Sequence, residues 1–576
     1  MLSNKIFSKK LFTINNKTEF FFLSVIFLIL LLLFSITIKD YFSNSLVFNN
    51  DERQQIMPYL SFHQPEVLNN SLIKEYFLNY TPIGHRGLYY LLTLFLTANQ
   101  SAKIVTFMLL VLLLIYCFKI GNIYTPIAGL ILTILVIRSE LTNIFIGGLP
   151  RSFGCLLIFV YIYYFYRSNE GGILITFVLQ ALFYPPSLLI CGASYVVFLL
   201  SDMKSGGIYK LWGKIFRGFL VLLLSLIILL PLTHKPEKIG SIVTLKEAKT
   251  MKVFGPNGRF RTILPFNPIN YEIRKYSYRV FCPIASKFNT EFFNIGSKGF
   301  QLLTFFWFMV GISLLYFGNN KTTIKKIICI LLSATMMHLI SRILAFRLFL
   351  PSRLIEYSWP IVIIISCSCG IATIPNIQLK VKKISLKFIT ILLFLISISV
   401  FTSGQNNKQP WNKFALVDCR NNVAVYNFFK KCSPDSVIAG DPHELDNIIY
   451  NTGRDIYVSY ESAHPFYITY WNEIERRFDA FHKAYFAHDR EDLINFFLNE
   501  KIDYFIVNIN HFSVNEKENK YALFEPFDSK NKKYYENTDV DKFYLSTIRG
   551  PGIIKINENF IIIDTKEFMK NSNFIN

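Results

Sequence analysis

Asn49-Asn50-Asp51-Glu52-Arg53 sets two adjacent carboxylates beside a guanidinium, just beyond the apolar stretch Phe20 to Ile38. About 20 apolar residues suffice to cross a bilayer as a helix, so the acidic pair falls close to a membrane surface. A carboxylate there can take a proton from a hydroxyl. It can also offset the positive charge of an oxocarbenium-like transition state, or ligate a divalent metal. The plainer reading of the pair is a solvated loop or a helix start. Adjacent side chains diverge on a helix or a strand, so one inward carboxylate and one auxiliary are expected. Asp51 fits the base, with Glu52 as second carboxylate or metal ligand.

An anionic ligand or leaving group at such a site needs cations to hold it. Arg353 and Arg347 flank Leu348 to Ser352 at an expected outer helix end, and they are the first candidates. His85 and Arg86 open the next apolar segment, and Arg151 follows Gly147-Gly148. The basic run around Lys252, Arg259 and Arg261 suits a diphosphate clamp or anionic lipid. Arginines at helix ends also snorkel to the interface without a ligand. Near the C-terminus, Asp441-Pro442-His443-Glu444 follows an expected strand, and His464 lies in the next loop. Loops after strands are where α/β domains bind ligands, so His443, Glu444 and His464 are candidates for a metal or acceptor site.

These residues sit in a chain that is largely apolar. Of 576 residues, 52% are hydrophobic and 16% aromatic, with a mean hydropathy of +0.35. The apolar residues are clustered, which describes a polytopic membrane protein. The first stretch reads as a retained anchor, since no small-residue cleavage site follows it. The formal charge of +21 comes mostly from lysines in short runs between apolar segments. That is the positive-inside pattern, so nucleic acid is not an expected partner. The nine cysteines form no CxxC pair, and most sit in apolar stretches. Cys419 and Cys432 could form a disulfide.

Lys5, Lys9, Lys10 and Lys17 place the N-terminus inside and the 39–82 loop outside. Gly84 to Thr97 is then expected to run inward to Lys103, Ile104 to Ile120 outward, and Ile123 to Ile137 back. Parity next demands a short or broken crossing at Leu141 to Leu149. Phe153 to Tyr166 returns, and Pro185-Pro186 divides the next span into two helices. The 233–298 loop lies outside. Counting on to Phe388 to Phe401 gives about thirteen crossings, and the odd number puts the tail outside. The expected division is 1–402, transmembrane, and 403–576, an extracytoplasmic α/β domain. In the tail, strands are expected at 436–439, 455–459, 504–508 and 560–563, and helices at 422–431, 470–484 and 490–500.

The layout resembles the GT-C superfamily of integral-membrane glycosyltransferases. It shares an N-in first helix, a long first outer loop with an acidic site, about a dozen helices and an outer C-terminal domain. The resemblance implies a membrane enzyme that takes a sugar from a polyprenyl-phosphate donor, among membrane lipids. Asp51 then matches the loop carboxylate that acts as base or metal ligand, and a divalent metal is a candidate cofactor. The rival reading is a transporter, flippase or non-catalytic assembly protein for lipid-linked glycans. Transporters place ionisable groups near the bilayer midplane, and here His338 is the main such residue.

Overall fold

The computed structural model describes residues 21, 24–28, 38–202, 208–233, 235–261, 263–264, 297–348, 350–373, 415–512, 523–535 and 540–570. The expected crossings Phe20 to Ile38 and Phe388 to Phe401 fall wholly or largely outside these residues, as does much of the 233–298 loop.

The helix Ala98–Asn122 is 25 residues long and begins at a capping box between Thr97 and Gln100. It runs through Lys103, where a loop was expected. Lys103 is buried and donates to the Asn44 carbonyl at 2.7 Å, with its ammonium 5.4 Å from the Tyr41 ring centre. A satisfied ammonium needs no exit to water. The segment before it, Ile83–Leu92, has 10 residues. At about 1.5 Å per residue that helix is too short to cross a bilayer.

The helix Pro126–Arg138, capped by Thr125, turns back along Ala98–Asn122 to the end that holds Asp51. The chain there makes a 3-10 turn, Glu140–Phe145, and enters the helix Pro150–Tyr166. The expected crossing at Leu141 to Leu149 is therefore absent. Of the two helices at 83–122 only Ala98–Asn122 is long enough to cross, and no crossing helix stands at 141–149, so the parity over this stretch is unchanged.

Helices Glu170–Phe183 and Pro185–Asp202 meet at Pro185, as the proline pair predicts. Ile208–Thr233, Ser297–Phe317, Lys321–Ile343 and Ser358–Thr373 follow. Among the described residues four stretches are long and apolar enough to cross a membrane: Ala98–Asn122, Trp212–Leu230, Lys321–Ile343 and Ala345–Ala372. Lys326 is a second buried cation; it donates to the Phe165 and Tyr166 carbonyls and Ser168 Oγ, closing the end of Pro150–Tyr166.

The tail is an α/β unit. We number β1 as Val47–Asn49 in the first loop and β2 as Leu416–Asp418, with which it pairs antiparallel. The strands β3 (Val437–Gly440), β4 (Asp455–Ile456), β5 (Tyr504–Asn508), β6 (Ile553–Lys555) and β7 (Phe560–Asp564) form one sheet. Its order is β4-β3-β5-β7-β6, parallel in the first three strands and antiparallel beyond. Phe505, Ile506, Val507, Ile562 and Ile563 are buried at its centre. Helices Val423–Lys431, Ile468–Tyr485 and Arg490–Glu500 match the expected periodicity. Pro442–Thr452 is a further helix, where the sequence suggested a ligand loop. Cys419 and Cys432 are both free thiols. They flank opposite ends of Val423–Lys431, about 14 Å of helix, beyond disulfide reach.

Candidate active site

Asp51 sits where β1 gives way to the short helix Glu52–Gln55. Its carbonyl accepts from the amides of Gln54 and Gln55 at 3.2 and 3.0 Å. Its amide donates to Asn49 Oδ1 at 3.0 Å. The side chain takes no part in capping, which leaves the carboxylate for other partners.

Its main partner is Arg151, whose Nη1 donates to Asp51 Oδ2. Two glycines deliver that arginine. Gly147 and Gly148 have φ of +102° and +59°, and a Cβ on Gly148 would lie 2.6 Å from Tyr89 Oη and 2.8 Å from the Ala102 carbonyl oxygen. Only glycine passes there without displacing its neighbours. Pro150 then starts the helix, and Arg151 stands in its first turn. Burial pushes the Asp51 carboxyl up, but the charges of Arg151, Arg353 and Arg259 outweigh it and hold Asp51 below its ordinary value. Arg353 is itself steadied by Glu356 at 3.3 Å and the Tyr357 hydroxyl at 2.8 Å.

Glu52 points the other way. It is fully buried and accepts the Asn49 amide at 2.9 Å on Oε1 and the Tyr450 hydroxyl at 2.6 Å on Oε2. Burial pushes it up to about 7. The inward carboxylate of the pair is thus Glu52, and it faces the seam with the tail. Asp51 remains half-buried among arginines.

The other expected residues divide. His85 is buried between Tyr59 Oη at 2.6 Å and the Gly148 carbonyl at 2.9 Å, and burial pushes it down to about 4. The carbonyl can only accept, so Nε2 carries the proton and the Tyr59 hydroxyl donates to Nδ1. His85 braces the glycine turn. Arg86 is half-buried, its Nε has no hydrogen-bond partner among the described residues, and its charge reaches Lys235. Arg347 is exposed. His338 donates from Nδ1 to the Pro351 carbonyl at 2.8 Å.

His443, Glu444 and His464 do not form one site. His443 is exposed and stacked on Tyr460 at 4.7 Å. Glu444, the next helical position and so about 100° away, is buried. It accepts from the Tyr426 hydroxyl at 2.7 Å and from Asn422 and Asn447. His464 lies among Tyr76, Phe77, Phe260 and Phe466. Burial and the charge of Arg259 push it well below its ordinary value, and Asp51 acts on it in the opposite sense. His464 therefore borders the Asp51 site. Among the described residues no group of three His, Cys, Asp or Glu side chains could hold a metal ion. Around Asp51 the donor set is cationic, which does not fit a divalent cation.

Sequence reasoning does not reach Tyr450 and Glu461 as partners of this loop, and it gives Arg259 only as part of a clamp for diphosphate or anionic lipid. Tyr450 lies 398 residues from the carboxylate it holds. No spacing within one sequence carries such a signal.

No known family model matches the chain, and no curated protein matches it. Among solved structures it is similar to the archaeal oligosaccharyltransferase AglB from Archaeoglobus fulgidus, in complex with an inhibitory peptide and a dolichol-phosphate. That match has 10% identity and a TM-score of 0.48, over 86% of this chain and 70% of that one. It is also similar to ArnT from Cupriavidus metallidurans in the apo state, with 10% identity and a TM-score of 0.45, over 94% and 98% of the two chains. Identity this low transfers neither activity nor substrate.

Proposed function

We propose that the chain is a membrane glycosyltransferase moving a sugar from a polyprenyl-phosphate donor to a lipid, glycan or protein acceptor. The observation that carries this is Asp51, a carboxylate spared from capping and held ionised by Arg151, Arg353 and Arg259. An ionised carboxylate can accept the proton of an acceptor hydroxyl as its oxygen attacks the anomeric carbon. The bond from that carbon to the phosphate oxygen breaks, and the leaving polyprenyl phosphate stays anionic. Arginines beside the base can hold that anion. Arg151 acts on Asp51 most strongly and Arg353 next, and in this reading Arg86 and Arg347 are further contacts for the donor phosphate. His464, neutral at physiological pH, borders the same space.

In this reading the Asp51 end of the bundle faces the outside of the membrane, with the N-terminus inside and residues 403–576 as the outer domain. Buried Lys103 and Lys326 lie near the starts of their helices and are satisfied locally, which does not favour the transporter alternative.

The test reconstitutes wild type, Asp51→Asn and Glu52→Gln with polyprenyl-phosphate sugars extracted from cells. Loss of the lipid-linked sugar is followed by mass spectrometry. Asp51→Asn should abolish turnover while the lipid still binds. A wild-type chain that binds the lipid and never turns it over would replace this reading with the transporter or scaffold.

A further inference from the structure

One carboxylate of the tail gathers three separate segments of the chain. Glu461 is buried, and its Oε1 accepts from Asn50 Nδ2 at 3.0 Å while Oε2 accepts from Gln54 Nε2 at 2.5 Å. Arg259, from the loop after Ile208–Thr233, donates to the same Oε2. Arg53 Nη2 stands 3.7 Å from Oε1. Behind Glu461, both oxygens of Asp446 accept its backbone amide at 3.1 and 3.0 Å.

These partners flank Asp51 on both sides. Asn50 precedes it and is held a second time, by its amide on the Ala415 carbonyl at 2.9 Å. Gln54 closes the turn that follows, and Glu52 is held by Tyr450. The residues around Asp51 are tied to the tail, whereas Asp51 itself is tied to the bundle through Arg151. A four-residue helical turn has no stiffness of its own. A reacting carboxylate must nonetheless be held to within about 0.5 Å.

Net stability does not explain the arrangement, because a buried ion pair is often no better than apolar packing of the same volume. What ions and amides supply is direction. Arg259 is itself fixed by the Tyr460 carbonyl at 2.5 Å and lies 4.9 Å from the Tyr460 ring centre. Its charge also reaches Asp51, so Glu461 is linked to the base through the field as well as through the turn.

The geometry points to Glu461 as a positioning residue: the docked tail, through Glu461, sets the Asp51 turn and so completes the catalytic site. This rests on the reading of Asp51 as the base.

The test uses the full chain in lipid nanodiscs, with Glu461→Ala, Glu461→Gln, Asn50→Ala and the double variant Asn50→Ala/Glu461→Ala. Arg476→Ala, which breaks an exposed ion pair of the tail with Glu473 and Glu500, is the control. One readout is amide hydrogen exchange over residues 50–56. The other is kcat and KM with polyprenyl-phosphate sugars extracted from cells. Glu461→Ala should speed exchange in that segment about tenfold or more while the sheet amides stay protected. It should lower kcat about tenfold to a hundredfold with donor KM within about twofold. Glu461→Gln, which keeps an acceptor for Asn50, should fall between. The double variant should lose less than the product of the two single losses, because both substitutions cut the Asn50–Glu461 link, while Asn50→Ala also removes the oxygen to which Arg53 donates. Wild-type exchange or wild-type kcat in Glu461→Ala would overturn the proposal, and so would losses that multiply in the double variant. A wild-type chain with no donor turnover would overturn the base reading instead. Exchange over residues 50–56 would then decide alone whether Glu461 holds the turn.

Discussion

Two acidic turns end two strands of this protein, and their surroundings are opposite. After β1, Asp51 leaves its own helix uncapped and meets Arg151, with Arg353 and Arg259 acting on it from a distance. After β3, Asp441 caps the helix Pro442–Thr452 through the His443 amide at 2.9 Å and accepts from Asn508 Nδ2 at 3.1 Å. Glu444, beside it, is held by a tyrosine and two asparagines. Neutral donors satisfy the second turn internally. The first is balanced by arginines that an anionic ligand could also claim. An acidic doublet in sequence is therefore uninformative until its partners are known, and arginine against tyrosine is the difference that matters.

The sharpest way to break that comparison is one substitution made in both turns. Asp51→Asn should lower donor turnover about 10²–10⁴-fold, the usual worth of a general base. Asp441→Asn should leave turnover at wild type and cost on the order of 1 kcal/mol of stability, seen as a lower unfolding midpoint. Equal losses of turnover would erase the distinction.

Next in size is the arginine set. Arg353→Gln should raise the donor KM about tenfold to a hundredfold, the worth of one hydrogen bond to a charged group. Phosphate-free lipid should bind both forms alike in the same titration.

The delivery of Arg151 is tested at Gly148. An alanine there meets Tyr89 Oη and the Ala102 carbonyl in a left-handed backbone. Gly148→Ala should destabilise by about 1–3 kcal/mol and also reduce turnover, since Arg151 is displaced with the turn. A chemical melt and an activity assay on one preparation read both effects.

The smallest effect is a pH dependence of opposite sign in neighbouring residues. Glu52 and Glu444 are both pushed up to about 7, from an unfolded value of 4.5. Their raised values contribute stability that is full below 4.5 and lost as pH rises through 7. Asp51 is depressed, so its contribution is present above its unfolded value of 3.8 and lost as pH falls. Glu52→Gln should flatten the rise in unfolding temperature on going from pH 7 toward pH 5. Asp51→Asn should leave that slope intact.

Much of the architecture was legible because it is written in local periodicity. Strand β5, the helix Arg490–Glu500 and the break at Pro185 follow from alternation, helical spacing and a missing amide. The error at Lys103 shows the limit of that logic. A lysine in an apolar run signals an exit to water unless a carbonyl and an aromatic ring meet it, and Asn44 and Tyr41 come from a distant loop. The candidate site shows the same division. Asp51, Arg151 and Arg353 were each visible as polar residues at expected helix ends. Their union was not, nor was the burial of Glu52 or the separation of His443, Glu444 and His464.

By itself, then, the sequence determined the apolar segments, the acidic turn just beyond the first of them and the α/β character of the tail. Each of these depends on residues within a few turns of one another. Only the tertiary structure decided which carboxylate faces arginines and which faces a tyrosine. It alone set Glu461 against Asn50 and Gln54, residues separated by 411 and 407 positions. The physical reason is that a charge takes its state from whatever surrounds it in space. Those surroundings come from four separate stretches: the first loop, the start of Pro150–Tyr166, the Arg259 segment and the tail.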